Sequence, residues 1–187
     1  DYNGKTVAVI GGGNVAMDCA RTIQRKGAKE VLIIYRRAEE QMPAEKKEIE
    51  EAKKEGVKFV FQNNIVKIIG NEKVEKIECI KTELMQKEGE IRKSPVEIKD
   101  SNYIIDMDYV IMALGSKTDI QVLNKLGIEL TQDKYVKVNN KNQTSNTKIF
   151  AGGDIKGEKS TVAWAARSGR DTAENIESFL NNNIWHK

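Results

Sequence analysis

The stretch VAVIGGGNVAMDCARTIQ, residues 7–24, limits the fold of this chain more than any other part of the sequence. Residues 7–10 are continuously apolar, which predicts a buried parallel strand. Three consecutive glycines interrupt that run. The apolar residues after them recur with helical spacing: Val15, Ala16, Cys19, Ala20 and Ile23. We therefore expect a strand, a tight turn and a helix whose apolar face covers the strand.

The residues that follow complete a strand–helix–strand unit. Arg25 and Lys26 lie in the last turn of the predicted helix, and Gly27 is placed to end it. Residues 31–35, VLIIY, predict a second buried strand. Residues 6–35 thus have the length of one βαβ unit, in which the two strands are parallel.

The glycine turn has the pattern G-x-G-x-x-A, formed by Gly11, Gly13 and Ala16. The first glycine allows the sharp turn, the second lets a pyrophosphate approach the backbone, and the small third residue lets helix and strand pack closely. Phosphates would then bind the free amides at the helix N-terminus. The predicted phosphate loop comprises Gly11, Gly12, Gly13, Asn14, Val15 and Ala16. The alternative is an ordinary tight turn with no ligand.

The end of the second strand predicts which dinucleotide binds. NAD sites place an acidic residue there, whereas NADP sites use arginine to pair with the 2′-phosphate. This chain has Arg36 and Arg37 at that position. A guanidinium presents a planar fork of donors to a phosphate, so we predict a preference for NADPH. The alternative is that both arginines are solvated surface charges.

The remaining residues predict further elements and a domain boundary. Pro43 predicts the start of a helix that ends near Glu55. The charged residues of this helix are expected to form a solvated face. The other predicted elements are a strand at 57–61, an antiparallel meander over 65–98 with turns at 70–73 and 86–90, a buried strand at 109–115, short strands at 135–138 and 148–154, and a long helix at 161–180. We expect one domain over 1–115 and another over 116–187.

Composition excludes several classes of protein. The net charge is only +3 among 187 residues, so no nucleic-acid-binding surface is indicated. No apolar run approaches the roughly 20 residues of a membrane span, and no signal peptide is visible. Cys19 and Cys79 are far apart and form neither a CxxC motif nor a metal-binding cluster. A reducing, cytoplasmic location is the simplest interpretation.

The residues GKTVAVIGGGNVAMDCARTIQRKGAKEV, followed by YRRAEEQMPA, resemble the NADPH-binding domain of glutamate synthase small (beta) subunits. The same module occurs in dihydropyrimidine dehydrogenase and in ferredoxin:NADP transhydrogenase subunits, within the pyridine nucleotide-disulfide oxidoreductase group. The stretches VIMALGSKTD and IFAGGDIKGEKSTVAWAARSGRDTAENI are similar to that group's return into its FAD domain. The resemblance implies a Rossmann-like parallel sheet with an antiparallel meander, plus the C-terminal part of an FAD-binding domain.

The resemblance also implies residues for the flavin. The Gly-Asp pair at Gly153 and Asp154 would contact the ribityl–phosphate region, although Gly-Asp is also common in turns. Ser160, Thr161 and Val162 would open the last helix with its N-terminus directed at the flavin, where the dipole favours an anionic reduced ring. The cofactor-binding residues implied beyond the NADPH loop are therefore Gly115, Gly153, Asp154, Thr161 and Val162.

One feature departs from that group, whose members carry two glycine fingerprints, the first for FAD and the second for NADPH. This sequence has one, and its two cysteines cannot build a four-cysteine cluster within a single copy. We therefore expect a C-terminal part of a longer subunit that lacks the FAD and iron–sulfur region. Such a chain would bind NADPH and hold FAD weakly or not at all.

The expected reaction is hydride transfer from NADPH to FAD, with electrons passing on to a partner such as the glutamate synthase large subunit. The cofactors carry this chemistry, so no side chain is expected to act as a catalytic acid or base, and His186 is expected to be irrelevant. A transhydrogenase subunit and a non-catalytic NADP(H)-binding module remain as alternatives. Thioredoxin-reductase-like chemistry would need a CxxC motif, which the sequence lacks.

Overall fold

The computed structural model describes residues 1–86, 93–115 and 118–181. The chain divides into two compact units, Asp1–Gly115 and Ser116–Lys187. The predicted turn at 86–90 lies outside the described residues apart from Gln86, and His186 lies outside them as well.

The first unit is built on a four-stranded parallel sheet. Its elements are β1 (Thr6–Ile10), α1 (Asn14–Arg25), β2 (Glu30–Tyr35), a 3₁₀ turn (Glu39–Gln41), α2 (Lys46–Lys54), β3 (Lys58–Phe61) and β8 (Tyr109–Met112). The strand order is β3-β2-β1-β8, with α1 between β1 and β2 and α2 between β2 and β3. The predicted βαβ unit is confirmed, and Gly27, with φ of +84°, follows the last turn of α1 as expected.

A second, antiparallel sheet lies between β3 and β8 in the sequence. Its strands are β4 (Asn63–Ile69), β5 (Lys76–Met85), β6 (Ser94–Glu97) and β7 (Tyr103–Asp106). The long strand β5 pairs with β4 along one edge. Along the other edge its C-terminal half pairs with β6 and its N-terminal half with β7. The sheet is therefore antiparallel as predicted, but β7 returns to β5 instead of continuing a simple meander.

Alternating residues of the parallel sheet supply two hydrophobic cores. Val9 and Ile33 face α1 and α2, whereas Ala8 and Ile34 face the antiparallel sheet. Successive side chains of a strand point to opposite faces, so continuous apolar runs are needed where both faces are covered. This explains why residues 7–10 and 31–34 are continuously apolar.

The buried face of α1 differs from the predicted one. Ala16, Met17, Ala20 and Ile23 are buried, whereas Val15 is 64% exposed. The buried set follows the spacing i, i+1, i+4, i+7, which centres the apolar face one residue later than the sequence pattern suggested. The start of α1 therefore leaves Val15 open to solvent.

Helix α2 begins at Lys46, so the predicted start at Pro43 is wrong. The amide of Ala44 donates to the Gly12 carbonyl (3.0 Å), and the amide of Glu45 donates to Asn14 Oδ1 (2.9 Å). These two bonds hold the segment before the helix extended along the glycine turn, and Glu45 has the β-region backbone of an N-cap residue.

Strand β8 is an edge strand, so the prediction of a buried strand at 109–115 is also wrong. It pairs only with β1 among the described strands, and its regular pairing ends at Met112. Tyr109 and Met112 are 39% and 59% exposed. An edge position with an incompletely covered face leaves apolar side chains at the surface, which a hydrophobic run alone does not reveal.

The helices α1 and α2 are joined by an ion-pair cluster that the sequence did not predict. Arg21 contacts Glu48, Glu51 and Glu55, and Arg25 also contacts Glu55. Hydrogen bonds from Arg21 and Arg25 lower the pKa of Glu55 from 4.5 to about 2. The glutamates on this side of α2 thus face α1, and only the other side of the helix is the solvated face that was expected.

Acid titration of Glu55 is expected to weaken the first unit. Since its pKa is lower in the folded chain, the ionised carboxylate stabilises the fold above about pH 4.5, and this contribution is lost as the pH falls to about 2. We expect Glu55→Gln to lower the free energy of unfolding at neutral pH and to flatten its dependence on pH below 4.5. Urea denaturation across this range measures both effects. Glu50→Gln, on an exposed position of α2, is the matched control, and equal behaviour of the two variants would contradict the prediction.

The second unit contains the helices α3 (Ile120–Lys125) and α4 (Val162–Asn181) and a 3₁₀ helix (Gly153–Lys156). The long predicted helix corresponds to α4. Helix α3 was missed, although Asp119 caps it by accepting hydrogen bonds from the Gln121 and Val122 amides. The predicted strands at 135–138 and 148–154 are wrong, because only isolated bridges form there: Leu130–Val136, Val138–Thr144 and Gln143–Phe150.

A buried polar network joins α4 to the loops of this unit. Asn142 Nδ2 donates to Thr172 Oγ1 (2.9 Å), and Lys156 Nζ donates to Asn142 Oδ1 (2.6 Å). The amide of Gly153 donates to Ser168 Oγ (3.0 Å). Each buried polar group thereby has a partner, which offsets the cost of its removal from water. The network anchors the Gly153 turn to α4 by hydrogen bonds.

Candidate functional site

The first glycine of the turn lies where the sheet leaves no room for a side chain. Gly11 has φ of +145°, and a Cβ there would clash with the Ala113 carbonyl oxygen. Its amide donates to the Ile34 carbonyl (3.2 Å). The turn at the end of β1 is therefore fixed against both neighbouring strands, as a sharp strand-to-helix turn requires.

The second glycine is covered by an aromatic ring that sequence reasoning missed. A Cβ on Gly12 would lie 2.6 Å from the Tyr35 ring. Tyr35 is the last residue of β2, and its hydroxyl donates to the Gln41 carbonyl (2.8 Å). The alternation of side chains along β2 places Tyr35 on the same face as Ile33, toward the helices, which is the signal that could have found it.

Gly13 is the glycine that faces open space. The nearest atom to a Cβ built there is Pro43 Cγ, at 4.0 Å. Gly13 is also the N-cap of α1, makes no side-chain capping bond, and is followed by no acidic residue in the first turn. A helix N-terminus of this kind presents amide donors and a positive dipole end to an anion.

The segment before α2 holds the glycine turn in place. Its two bonds, from the Ala44 amide to the Gly12 carbonyl and from the Glu45 amide to Asn14 Oδ1, cross directly to the turn. The side chain of Asn14 is thus engaged with α2 and does not cap its own helix. Ala16, by contrast, is fully buried as the packing residue of the motif.

The two arginines after β2 have different surroundings. Arg36 is exposed, and its carbonyl accepts a bond from Thr82 Oγ1 (2.9 Å). Arg37 is half-buried, its carbonyl accepts from the Gln62 amide (3.1 Å), and its buried Nε has no hydrogen-bond partner among the residues that the structure describes. An unpartnered buried guanidinium nitrogen is costly unless a ligand or water completes it.

The residues implied for a flavin lie mostly in the second unit. Gly153, with φ of +76°, opens the 3₁₀ helix, and the side chain of Asp154 is exposed. Thr161 caps α4 by accepting from the Trp164 amide (3.4 Å), and Val162 is the first residue of that helix, 88% exposed. Gly115, exposed, ends the first unit.

The next features are the potential metal ligands among the described residues and the two thiols. No group of three or more metal-binding side chains occurs among residues 1–86, 93–115 and 118–181. Cys19 packs against the helix-side core, and Cys79 is buried, which raises the pKa of its thiol to about 11. Such a thiol is protonated and unreactive at neutral pH. Within the same ranges, no helix is long and apolar enough to cross a bilayer.

The parallel sheet, the βαβ unit and the glycine turn at its carboxyl edge define a Rossmann-like protein. The family model described as "Pyridine nucleotide-disulphide oxidoreductase" matches residues 1–169. The chain therefore belongs to the pyridine nucleotide-disulphide oxidoreductase family.

Two curated relatives show which members of this family the chain resembles. The chain is 40% identical to the "Glutamate synthase [NADPH] small chain" of Escherichia coli K12 over 95% of its own length and 39% of the relative's. It is 36% identical to the "NADP(+)-dependent formate dehydrogenase subunit beta" of Moorella thermoacetica over 95% of its length and 25% of the relative's. The chain thus spans well under half of these relatives.

Solved structures support the fold. Thioredoxin reductase of T. acidophilum superposes with a TM-score of 0.75 at 24% identity, over 95% of this chain and 53% of that one. Mycobacterium tuberculosis FprA in complex with NADPH superposes with a TM-score of 0.71 at 18% identity, over 98% and 55%. The predicted α/β class, with its parallel and antiparallel sheets, is confirmed.

Proposed function

We propose that this chain is the NADPH-binding part of a flavin-dependent oxidoreductase of the glutamate synthase small-chain type. The observation that carries the proposal is the geometry at Gly13, where an uncapped helix N-terminus adjoins space that a side chain would fill. A pyrophosphate fits this position, because amides and dipole both favour negative charge. Gly11, Gly12, Val15 and Ala16 shape the same loop, and Asn14 ties it to α2.

The nicotinamide dinucleotide that we assign carries a 2′-phosphate. Arg36 and Arg37 stand at the end of β2, where the ribose of a bound dinucleotide lies in this type of fold. Arg36 is exposed, so its guanidinium is accessible to a phosphate. The names of the relatives agree, since both the glutamate synthase small chain and the formate dehydrogenase subunit are named for NADP or NADPH.

For the flavin we assign the second unit as the C-terminal portion of an FAD-binding domain. Gly115 leads into this unit, and Thr161 and Val162 open α4. We assign the exposed Asp154 and the turn at Gly153 to the ribityl–phosphate chain. NADPH and a flavin, when bound, would supply the hydride-transfer chemistry, and the residues of this chain would bind and orient the two rings.

The names of these relatives combine NADPH or NADP⁺ with two different enzymes, a glutamate synthase and a formate dehydrogenase, so the shared chemistry that we assign is NADP-linked electron transfer. We assign the rest of the FAD site, an iron–sulfur region and a partner of the glutamate synthase large-subunit type to polypeptide beyond this chain. We also place the protein in the cytoplasm, where its two free cysteines stay reduced.

Calorimetric titration of the purified chain tests the binding proposal. We expect NADP⁺ to bind and NAD⁺ to bind more weakly. Titration with FAD, followed by addition of NADPH under anaerobic conditions and measurement of flavin absorbance, then tests the oxidoreductase assignment. Bleaching of flavin supports an oxidoreductase, whereas NADP⁺ binding without flavin reduction is the outcome of either an incomplete FAD site or a non-catalytic module. Absence of NADP⁺ binding would contradict the proposal.

A further inference from the structure

A concave surface of the first unit is lined by residues outside the glycine turn. It is a pocket of about 500 Å³ between the residue after β2 and the antiparallel sheet. Its apolar lining comes from Ile80 of β5 and from Pro95 and Val96 of β6. This volume lies within the range of about 300–1,000 Å³ that small-molecule sites occupy. An apolar lining of this kind suits the face of a heterocyclic ring.

The rim of the pocket carries two positive charges from separate elements. Arg36 follows β2, and Lys99 follows β6. The pocket also holds Glu97, whose Oε1 accepts a hydrogen bond from Asn64 Nδ2 (3.1 Å). The charges of these side chains sum to +1, with two cations available to an anion and the one carboxylate engaged by an amide. An anionic group on the ligand is therefore favoured.

Hydrogen bonds fix the backbone on both sides of this rim. The bond from Thr82 Oγ1 to the Arg36 carbonyl ties the end of β2 to β5. On the other side, the Ile98 amide donates to the Lys81 carbonyl (2.9 Å), and Ser101 Oγ donates to the Ile98 carbonyl (2.6 Å). Lys99 thus belongs to a turn whose backbone is already held, so ligand binding does not have to order that turn.

The pocket adjoins the glycine turn through the sheet. β1 and β2 are neighbours, and the Gly11 amide donates to the Ile34 carbonyl (3.2 Å), so the turn and Arg36 lie at the carboxyl ends of adjacent strands. Adjacent strands are about 5 Å apart. A dinucleotide with its pyrophosphate at the start of α1 would therefore extend its adenosine half toward Arg36, which lines the pocket.

We propose that this pocket binds the adenosine 2′-phosphate end of the dinucleotide, and that Lys99 is a specificity-determining residue for that phosphate. The inference rests on the proposed NADPH function and deepens it. The apolar lining contacts the adenine, whichever dinucleotide binds, whereas Lys99 and Arg36 contact only a ligand that carries the 2′-phosphate. The antiparallel sheet thereby contributes directly to the choice between NADP and NAD.

Charge replacement at Lys99 tests the specificity role. We expect Lys99→Gln to weaken binding of NADP⁺ and of adenosine 2′,5′-bisphosphate by about tenfold, the low end for a charged hydrogen bond because the lysine is exposed. NAD⁺ binding is expected to stay unchanged, and Lys99→Arg to restore NADP⁺ binding. Lys67→Gln, which removes an exposed lysine from β4 outside the pocket, is the matched control. Titration calorimetry measures ligand binding by these three variants and by the unaltered chain.

A pocket-filling variant tests the adenosine position. Val96→Trp is expected to weaken NADP⁺ and NAD⁺ alike, since the ring would occupy the adenine position, with circular dichroism confirming that the chain folds. If the unaltered chain binds NADP⁺ but Lys99→Gln behaves like Lys67→Gln, the specificity inference is wrong while the proposed function stands. If the unaltered chain binds no NADP⁺, the proposed function itself is wrong.

Discussion

Replacing both Arg36 and Arg37 by alanine is expected to weaken NADP⁺ binding by about a hundredfold, because hydrogen bonds to charged groups contribute about 1.5–3 kcal/mol each. NAD⁺ binding is expected to change by less than about threefold, since that ligand has no 2′-phosphate to lose. Titration calorimetry of both ligands at one fixed salt concentration measures the ratio, because exposed ion pairs are screened by salt.

The control for this experiment removes the same charge elsewhere. Lys26 and Lys54 are exposed lysines at the C-terminal ends of α1 and α2, away from the glycine turn. The double variant Lys26→Ala, Lys54→Ala should leave both affinities unaltered. Equal loss of NADP⁺ and NAD⁺ affinity in the arginine variant would show that the arginines act on the fold or on the whole ligand, and would remove the assignment of NADPH.

Gly13→Asp is expected to weaken dinucleotide binding without lowering the stability of the fold. Gly13 has φ of −93° and ψ of 176°, which is the backbone of an N-cap residue. Aspartate is favoured at that position and its charge suits the helix dipole, so the free energy of unfolding should stay constant or rise by up to about 1 kcal/mol. The same carboxylate would occupy the amides that we assign to the pyrophosphate and would repel it.

We therefore expect Gly13→Asp to weaken NADP⁺ and NAD⁺ together by about a hundredfold, as a like charge a few ångströms away costs several kcal/mol. Gly13→Asn separates the effects, because it caps the helix without adding charge. Gly11→Ala is the opposite case: its Cβ meets the Ala113 carbonyl, so it should destabilise the fold. Undiminished dinucleotide affinity in Gly13→Asp would contradict the phosphate position.

Local rules predicted the βαβ unit well. The strand, glycine turn, helix and second strand each depend on short-range patterns that the same residues satisfy in the structure, from Thr6 to Tyr35. The C-terminal helix was found for the same reason. The misplaced start of α2 has a tertiary cause, since the amides of Ala44 and Glu45 bond to the glycine turn. A proline in the sequence favours a helix start, but it does not reveal hydrogen bonds to a distant segment.

The errors in strands share a different cause. A hydrophobic run predicts extended structure but does not show whether strands lie on both sides of it. The run at β8 therefore predicts a buried strand, whereas β8 lies at an edge of the sheet. In the second unit, residues near Val136 form isolated bridges instead of a strand, because too few backbone partners align beside them. Strand pairing depends on residues that are distant in sequence, and the local patterns of a single sequence do not show which segments pair.

The sequence alone determined the motifs on which the predicted function rests. They are a glycine turn before a helix, two arginines after the next strand, and the absence of a CxxC motif. These motifs consist of residues that are close in sequence, and such residues stay close in space because the chain links them covalently. Only the tertiary structure brought Tyr35 over Gly12, linked Asn14 to the start of α2, and set Arg36 beside Lys99 in one pocket. Those contacts arise because sheet pairing and burial of two apolar faces bring distant segments together.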